Sequence, residues 1–161
     1  MGKAVLNPAE IPVTLEVDEN GRVVDRTVDI EGTNYNVICV SMGNPHCVTF
    51  MKDIDSIDIE TVGRAFEYNS IFPERVNVEF IKVIDECTLK MRVWERGSGE
   101  TWACGTGACA AVTAAVLNGY CEKDTDITVK LKGGDLKIRY TDDAVYLTGD
   151  AVTVFSGDII I

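Results

Sequence analysis

The fold of this chain is decided by residues 104–119, which read CGTGACAAVTAAVLNG. This stretch predicts a helix from about Gly105 to Asn118. Gly119 is typical of a helix C-terminal end, because glycine adopts the left-handed backbone required there at little cost. The apolar residues cover every face of the predicted helix rather than one stripe. A helix that is apolar all round has to be buried all round, so we expect the rest of the chain to surround it.

Short runs of alternating or β-branched residues dominate the remaining sequence and predict strands. We place strands at Val13–Val17, Val23–Ile30, Tyr35–Val40, Cys47–Phe50, Val76–Ile84, Thr88–Glu95, Thr128–Lys132, Leu136–Tyr140, Ala144–Thr148 and Val152–Phe155. A second, amphipathic helix is expected from about Asp58, its N-cap, to Tyr68. The predicted fold class is α+β, with a mostly antiparallel sheet or barrel wrapped around a central apolar helix.

Length and composition indicate how many domains the chain has and which kinds of partner it is unsuited to bind. The 161 residues suggest one domain over residues 1–161, and the net charge of −11 disfavours nucleic acid and anionic membranes as partners. No run approaches the length of a transmembrane helix, and the first residues lack the apolar segment of a signal peptide. The six cysteines do not form a compact disulfide framework, so we expect free thiols in a cytoplasmic protein. A single histidine and the absence of a Cys-x-x-Cys pair predict no metal site.

Cys104 stands where a glycine-rich loop enters the predicted central helix. Free N–H groups and the positive end of the helix dipole favour an anion there, so we expect a lowered thiol pKa or a bound substrate carboxylate. Glu95 and Arg96 flank the loop as a candidate base-orienting group and a candidate carboxylate clamp. The alternative is a tight turn with a small buried cysteine, and Cys109 is expected to serve packing. A phosphate-binding loop fits poorly because Gly-Lys-Ser/Thr is absent.

Two further clusters contain candidate polar residues. An Asn-Pro pair breaks a strand run into a turn that presents Asn44 and His46. A lone histidine is more often a surface or satisfied core residue than a catalyst, and a Cys-His hydrolase would need Cys104 to reach His46. Asn77 lies among apolar neighbours in a predicted strand, where structural hydrogen bonding is the default interpretation.

In this order, the three clusters resemble the diaminopimelate epimerase family. The matching stretches are Gly43–His46, Arg75–Phe80 and Glu95–Gly107. The resemblance covers essentially the whole chain, and the longest motif is highly specific. It implies a fold in which each of two similar domains carries a cysteine at a helix entrance.

The resemblance also implies an activity and the residues that perform it. Members of the family interconvert LL- and meso-diaminopimelate without pyridoxal phosphate or another cofactor, using one cysteine on each side of the substrate α-carbon. Cys104 matches one of these cysteines, Glu95 matches its supporting acidic residue, and His46 matches the histidine that supports the other cysteine. The implied substrate contacts are Asn44, Asn77, Arg96, Gly105 and Thr106.

The sequence departs from the family in one respect, because it has no Gly-Asn-Gly segment carrying the other cysteine. We therefore expect residues 1–161 to correspond to the C-terminal half, with the N-terminal catalytic half as its missing partner and no activity for the isolated chain. A racemase or isomerase of another amino acid and a non-enzymatic ligand-binding module remain alternatives. The apolar run Val152–Ile161 would expose a strand edge, which predicts self-association.

Overall fold

The computed structural model describes residues 1–160. A short 3-10 helix at Pro8–Glu10 precedes the main elements. Within the described residues there are nine strands and two α-helices: β1 (Arg26–Ile30), β2 (Thr33–Ser41), β3 (Pro45–Phe50), α1 (Ile59–Glu67), β4 (Asn77–Asp85), β5 (Thr88–Glu95), β6 (Gly99–Thr101), α2 (Gly105–Leu117), β7 (Ile127–Leu131), β8 (Gly134–Tyr140) and β9 (Val145–Thr148).

The strands form one mixed sheet in the order β1-β2-β3-β4-β5-β7-β8-β9, and β6 pairs with β5 as a side branch. The β3/β4 and β5/β7 pairs are parallel, and the other neighbouring strands are antiparallel. Helix α2 packs against strands from both halves of this order, from β2 to β9. The predicted α+β class, a mostly antiparallel sheet around a central helix, is confirmed.

Helix α2 is the centre of the larger hydrophobic core. Its residues 107–115 are all buried. Most of their side chains are small, so strands approach the helix closely on several sides. The packing partners from the sheet include Ile38, Val48, Ile81, Met91, Val129 and Ile138. The helix begins one residue after Cys104, as predicted, and ends at Leu117, one residue earlier than expected.

Helix α1 covers the opposite face of the sheet and organises a second core. Asp58 caps it by accepting hydrogen bonds from the backbone N–H of Thr61 (3.3 Å) and from the Thr61 hydroxyl (2.7 Å). Strand alternation separates the two cores. In β2, Ile38 packs with α2, whereas Val37 packs in the cluster that includes Phe66 of α1.

Two expected strands are absent from the described residues, and one observed strand was not predicted. Val13–Val17 forms no strand, because Thr14 donates its backbone N–H to Ile71 O (3.0 Å) instead of pairing with a neighbouring strand. Val152–Phe155 is also irregular and exposed, without a partner in the described residues; Ile161, the last residue of the apolar run Val152–Ile161, lies outside them. Strand β6 was not predicted, since three residues between glycines and a tryptophan carry little periodicity.

Neither helix, nor any other helical segment among residues 1–160, has both the length and the apolar character needed to cross a membrane.

Candidate active site around Cys104

Cys104 is the N-cap of α2, with an extended backbone (φ −134°, ψ 110°) that turns the chain from the β6 loop into the helix. Its Sγ accepts a hydrogen bond from the backbone N–H of Gly107 (3.3 Å) and lies 3.5 Å from the hydroxyl oxygen of Thr106. The side chain is largely enclosed, with 6% of its surface exposed. A thiol therefore occupies the place where a capping hydroxyl or carboxylate usually satisfies the helix N–H groups.

Burial raises the pKa of the Cys104 thiol above its usual value, and this is the largest influence on it. The hydrogen bonds from Thr106 and Gly107 lower the pKa, whereas the nearby carboxylates of Glu79 and Glu95 raise it. The expectation of a lowered pKa is therefore wrong for this chain. Desolvation outweighs the two hydrogen bonds at the helix entrance.

His46 projects from β3 onto the same side of the sheet as α2, and its side chain is fully buried. Its Nδ1 lies 2.7 Å from Oε1 of Glu79, and its Nε2 lies 3.0 Å from Oδ1 of Asn44. Asn44 in turn donates through Nδ2 to the hydroxyl of Thr106 (3.3 Å). Polar contacts thus connect His46 with Cys104 through Asn44 and Thr106, although His46 and Cys104 are 58 positions apart in the sequence.

Glu79 is a member of this site that the sequence prediction missed. Ile81 of β4 packs in the α2 core, and strand alternation places Glu79 on the same face. The parallel β3/β4 register pairs His46 with Asn77, two residues before Glu79. The sequence signal was an acidic residue between Val78 and Phe80 in an apolar strand, where a buried charge needs a partner.

Asn77 ties three segments together. Its Nδ2 donates to the carbonyl oxygen of Pro45 (2.8 Å), and its Oδ1 accepts the backbone N–H of Arg96 (2.9 Å). The amide therefore links the start of β3 and β4 to the loop that follows β5. These contacts match the structural hydrogen bonding expected of a buried amide in a strand.

Glu95 and Arg96 lie at the end of β5 and just beyond it. Glu95 Oε1 accepts a hydrogen bond from the Thr101 hydroxyl (2.5 Å) across the β5/β6 pair. Arg96 is exposed, and its Nη1 donates to the carbonyl oxygen of Glu74 (2.9 Å). Glu95 is near enough for its charge to act on Cys104, whereas the Arg96 guanidinium is held by the loop before β4.

The loop itself is held from the other face of the sheet by Glu67 of α1, a second residue that sequence reasoning missed. Glu67 is almost fully buried; its Oε1 accepts the backbone N–H of Gly97 (3.0 Å) and its Oε2 accepts Nε1–H of Trp94 (2.7 Å). Gly97 has a φ of +78°, a conformation that favours glycine. An acidic residue at the end of an amphipathic helix gave no sequence signal for this role.

Gly105 and Thr106 form the first turn of α2 directly after the thiol. Trp102, two residues before Cys104, is 76% exposed, so an apolar surface adjoins the entrance to the site. Among residues 1–160, no group of three or more His, Cys, Asp and Glu side chains is arranged to hold a metal ion.

The fold and the site define a class: an α+β protein with a largely buried cysteine as the N-cap of its central helix. The family model described as "Diaminopimelate epimerase" matches residues 38–154, and the chain belongs to that family.

Two curated relatives illustrate the match. A diaminopimelate epimerase from Desulfovibrio desulfuricans is 52% identical over 98% of this chain and 56% of its own length. Another from Methanococcus maripaludis is 49% identical over 99% of this chain and 56% of its own length. The chain thus spans little more than half the length of these relatives. Among solved structures, a PhzF-family phenazine biosynthesis protein from Bacillus anthracis aligns with a TM-score of 0.47 at 23% identity, over 65% of this chain and 34% of that one.

Proposed function

We propose that this chain supplies one catalytic half of a cofactor-independent epimerase that interconverts LL- and meso-diaminopimelate. The observation that carries the proposal is the placement of Cys104 at the N-terminus of α2, joined by polar contacts to Thr106, Asn44 and His46. The relatives named diaminopimelate epimerase support this substrate.

The reaction requires a base on one face of the substrate α-carbon and an acid on the other. The α-proton of an amino acid is weakly acidic, so its removal needs a positioned base and electrostatic stabilisation of the developing carbanion. The thiolate of Cys104 takes the α-proton and becomes a thiol; a second thiol then gives its proton to the opposite face and becomes a thiolate. In the reverse direction, the two cysteines exchange roles.

In this proposal, the second cysteine comes from a segment that precedes residue 1. That segment corresponds to the part of the relatives that this chain does not span. Glu95 supports Cys104, and His46 supports that second cysteine. Exposed Trp102 beside a largely enclosed thiol fits an entrance that another domain covers, because burial of so large an apolar side chain at a contact would be favourable.

Substrate binding is proposed for Asn44, Asn77, Arg96, Gly105 and Thr106. The first-turn N–H groups of α2 at Gly105 and Thr106 suit the α-carboxylate, because a helix N-terminus favours anions. The contact between Asn44 and Thr106 (3.3 Å) is long for a hydrogen bond and opens at little cost to admit a ligand. Arg96 is exposed and can exchange its bond to the Glu74 carbonyl for a substrate carboxylate.

Substrate protection tests this function. The probe protein is a chimera in which the unmatched part of the Desulfovibrio desulfuricans relative precedes this chain. Cys104 is alkylated with iodoacetamide and quantified by peptide mass spectrometry. We expect diaminopimelate to slow the alkylation of Cys104, and proline, an unrelated amino-acid substrate candidate, to leave the rate unchanged. Protection by proline alone would favour a racemase of another amino acid, and protection by neither would contradict an amino-acid site at Cys104.

A further inference from the structure

Glu79 is a fully buried carboxylate beside His46. Its side chain has no exposed surface, and its Oε2 has no hydrogen-bond partner among the described residues. A buried carboxylate with an unpaired oxygen destabilises a fold unless a charge partner compensates. The partner present is His46, whose Nδ1 lies 2.7 Å from Oε1.

The ring of His46 is fixed at both nitrogens. A carboxylate oxygen can only accept at Nδ1, so that nitrogen carries a proton in this contact whichever way the Asn44 amide is turned. Nε2 is left facing Asn44, on the side that leads to Thr106 and Cys104. The carboxylate thus determines which ring nitrogen points into the site.

Helix α2 leaves room for this carboxylate. A Cβ at Gly107 would lie 2.6 Å from Oε1 of Glu79, a distance that would force the acid to move. The same Gly107 donates its N–H to Cys104 Sγ. The close approach of the helix backbone to Glu79 is therefore part of the packing that also holds the thiol.

We propose that Glu79 is a positioning residue of this site: by accepting a hydrogen bond from Nδ1–H of His46 it orients the ring so that Nε2 faces Asn44 and the side of the site that leads to Cys104. Glu79 also provides the counter-charge when the ring becomes an imidazolium. The role resembles that of carboxylates that orient catalytic or metal-bound histidines in other proteins. The consequence for turnover rests on the proposed function, whereas the state of the ring does not.

The experiment uses the full 161-residue chain, in which His46 is the single histidine. Long-range 1H–15N spectra of the 15N-labelled imidazole report the protonation of each ring nitrogen without an assignment problem. We expect Nδ1 to carry a proton in the folded chain, because it faces the carboxylate oxygen of Glu79. A neutral ring with its proton on Nε2 and a bare Nδ1 would overturn the proposal.

Two variants separate positioning from packing. Glu79→Gln keeps an acceptor oxygen for Nδ1–H, so the Nδ1–H form should persist. Glu79→Leu should lose the preference for Nδ1–H. Glu67→Gln, which neutralises another buried carboxylate that contacts Trp94 and Gly97, is the matched control and should leave the His46 signals unchanged.

Retention of the Nδ1–H form in Glu79→Leu, or its loss in the Glu67→Gln control, would show that Glu79 serves packing alone. If circular dichroism shows that the Glu79 variants do not fold, the wild-type spectrum decides by itself. None of these measurements involves diaminopimelate, so this inference and the proposed function can fail independently.

Discussion

Opposing effects act on the thiol of Cys104. Burial and the carboxylates of Glu79 and Glu95 raise its pKa, and the hydrogen bonds from Thr106 and Gly107 lower it without reversing the shift. Because its pKa is raised, Cys104 is a thiol rather than a thiolate at neutral pH. Under the proposed function, such a thiol donates a proton directly, and it acts as a base only where its surroundings stabilise the thiolate.

This pKa predicts a pH profile for the reactivity of Cys104. Because the thiolate is the nucleophile, alkylation by iodoacetamide should rise with pH through a midpoint above that of free cysteine measured in parallel. Thr106→Val, which removes a hydrogen bond that lowers the pKa, should move the midpoint higher. Peptide mass spectrometry separates Cys104 from the other cysteines. A midpoint below that of free cysteine would show that the helix N-terminus outweighs burial.

Gly107→Ala should destabilise the chain, although alanine is normally the better helix former. The new Cβ would lie 2.6 Å from Glu79 Oε1, which is enclosed and cannot move away freely. We expect a loss of about 1 to 3 kcal/mol in the free energy of unfolding, measured in urea. Gly105→Ala is the control in the same helix, since its Cβ would meet the flexible Leu147 side chain at 3.3 Å. Equal effects of the two substitutions would contradict the close fit at Gly107.

At the level of elements, α1 fixes the loop of the site from the far face of the sheet. Glu67 accepts hydrogen bonds from Gly97 N–H and from Trp94 Nε1–H. The helix lies so close to β5 that a Cβ at Gly63 would sit 2.6 Å from Cγ of Trp94. The position of the loop that carries Arg96 is therefore set by a helix outside the site.

Removal of this support should loosen the loop. In Glu67→Leu the Gly97 amide loses its acceptor, and we expect its hydrogen exchange to accelerate by roughly tenfold or more, given the usual strength of a hydrogen bond to a charged group. Glu67→Gln retains an acceptor oxygen and serves as the control. Equal Gly97 exchange rates in the wild type and in Glu67→Leu would show that the loop is held by other contacts.

Most strands could be predicted because side chains that face the two hydrophobic cores alternate along the sequence. Thr88–Glu95, for example, was predicted with its observed bounds. Val13–Val17 and Val152–Phe155 show the same composition, but a strand also needs a neighbouring edge, which periodicity does not report. The helix apolar on all sides gave the architecture directly. Its burial leaves the sheet no arrangement other than one that surrounds it.

At the level of the whole molecule, the site combines segments brought together by strand pairing. The helix entrance singled out Cys104, and an Asn-Pro turn singled out Asn44 and His46, but only the resemblance to the family joined the three residues in one predicted site. The contact of Glu79 with His46 was not predicted, because it depends on the parallel register of β3 and β4 and on the close approach of Gly107. Such pairings follow from the assembled sheet rather than from any single stretch.

The C-terminal segment after β9 exposes several apolar side chains, including Val152 (81% exposed), Phe155 (86%) and Ile160 (100%). We expect the purified chain to self-associate through this segment, because contiguous apolar surface favours association. Light scattering over a concentration series measures it. The double substitution Val152→Ser, Phe155→Ser should reduce association, whereas Asp150→Ser, at a neighbouring exposed position, should not. A strict monomer at high concentration would contradict the expectation.

The central claim is that Cys104 is one of two acid–base cysteines of a diaminopimelate epimerase, and turnover tests it most directly. LL-diaminopimelate in deuterium oxide is supplied to the 161-residue chain, to the chimera with the Desulfovibrio desulfuricans segment, and to the chimera with Cys104→Ala. We predict conversion to the meso form, with deuterium at the α-carbon, by the chimera. The chain alone should give no conversion, and Cys104→Ala should lower kcat by at least about 100-fold. Conversion by the isolated chain at a rate near that of the chimera, or undiminished turnover by Cys104→Ala, would contradict the claim.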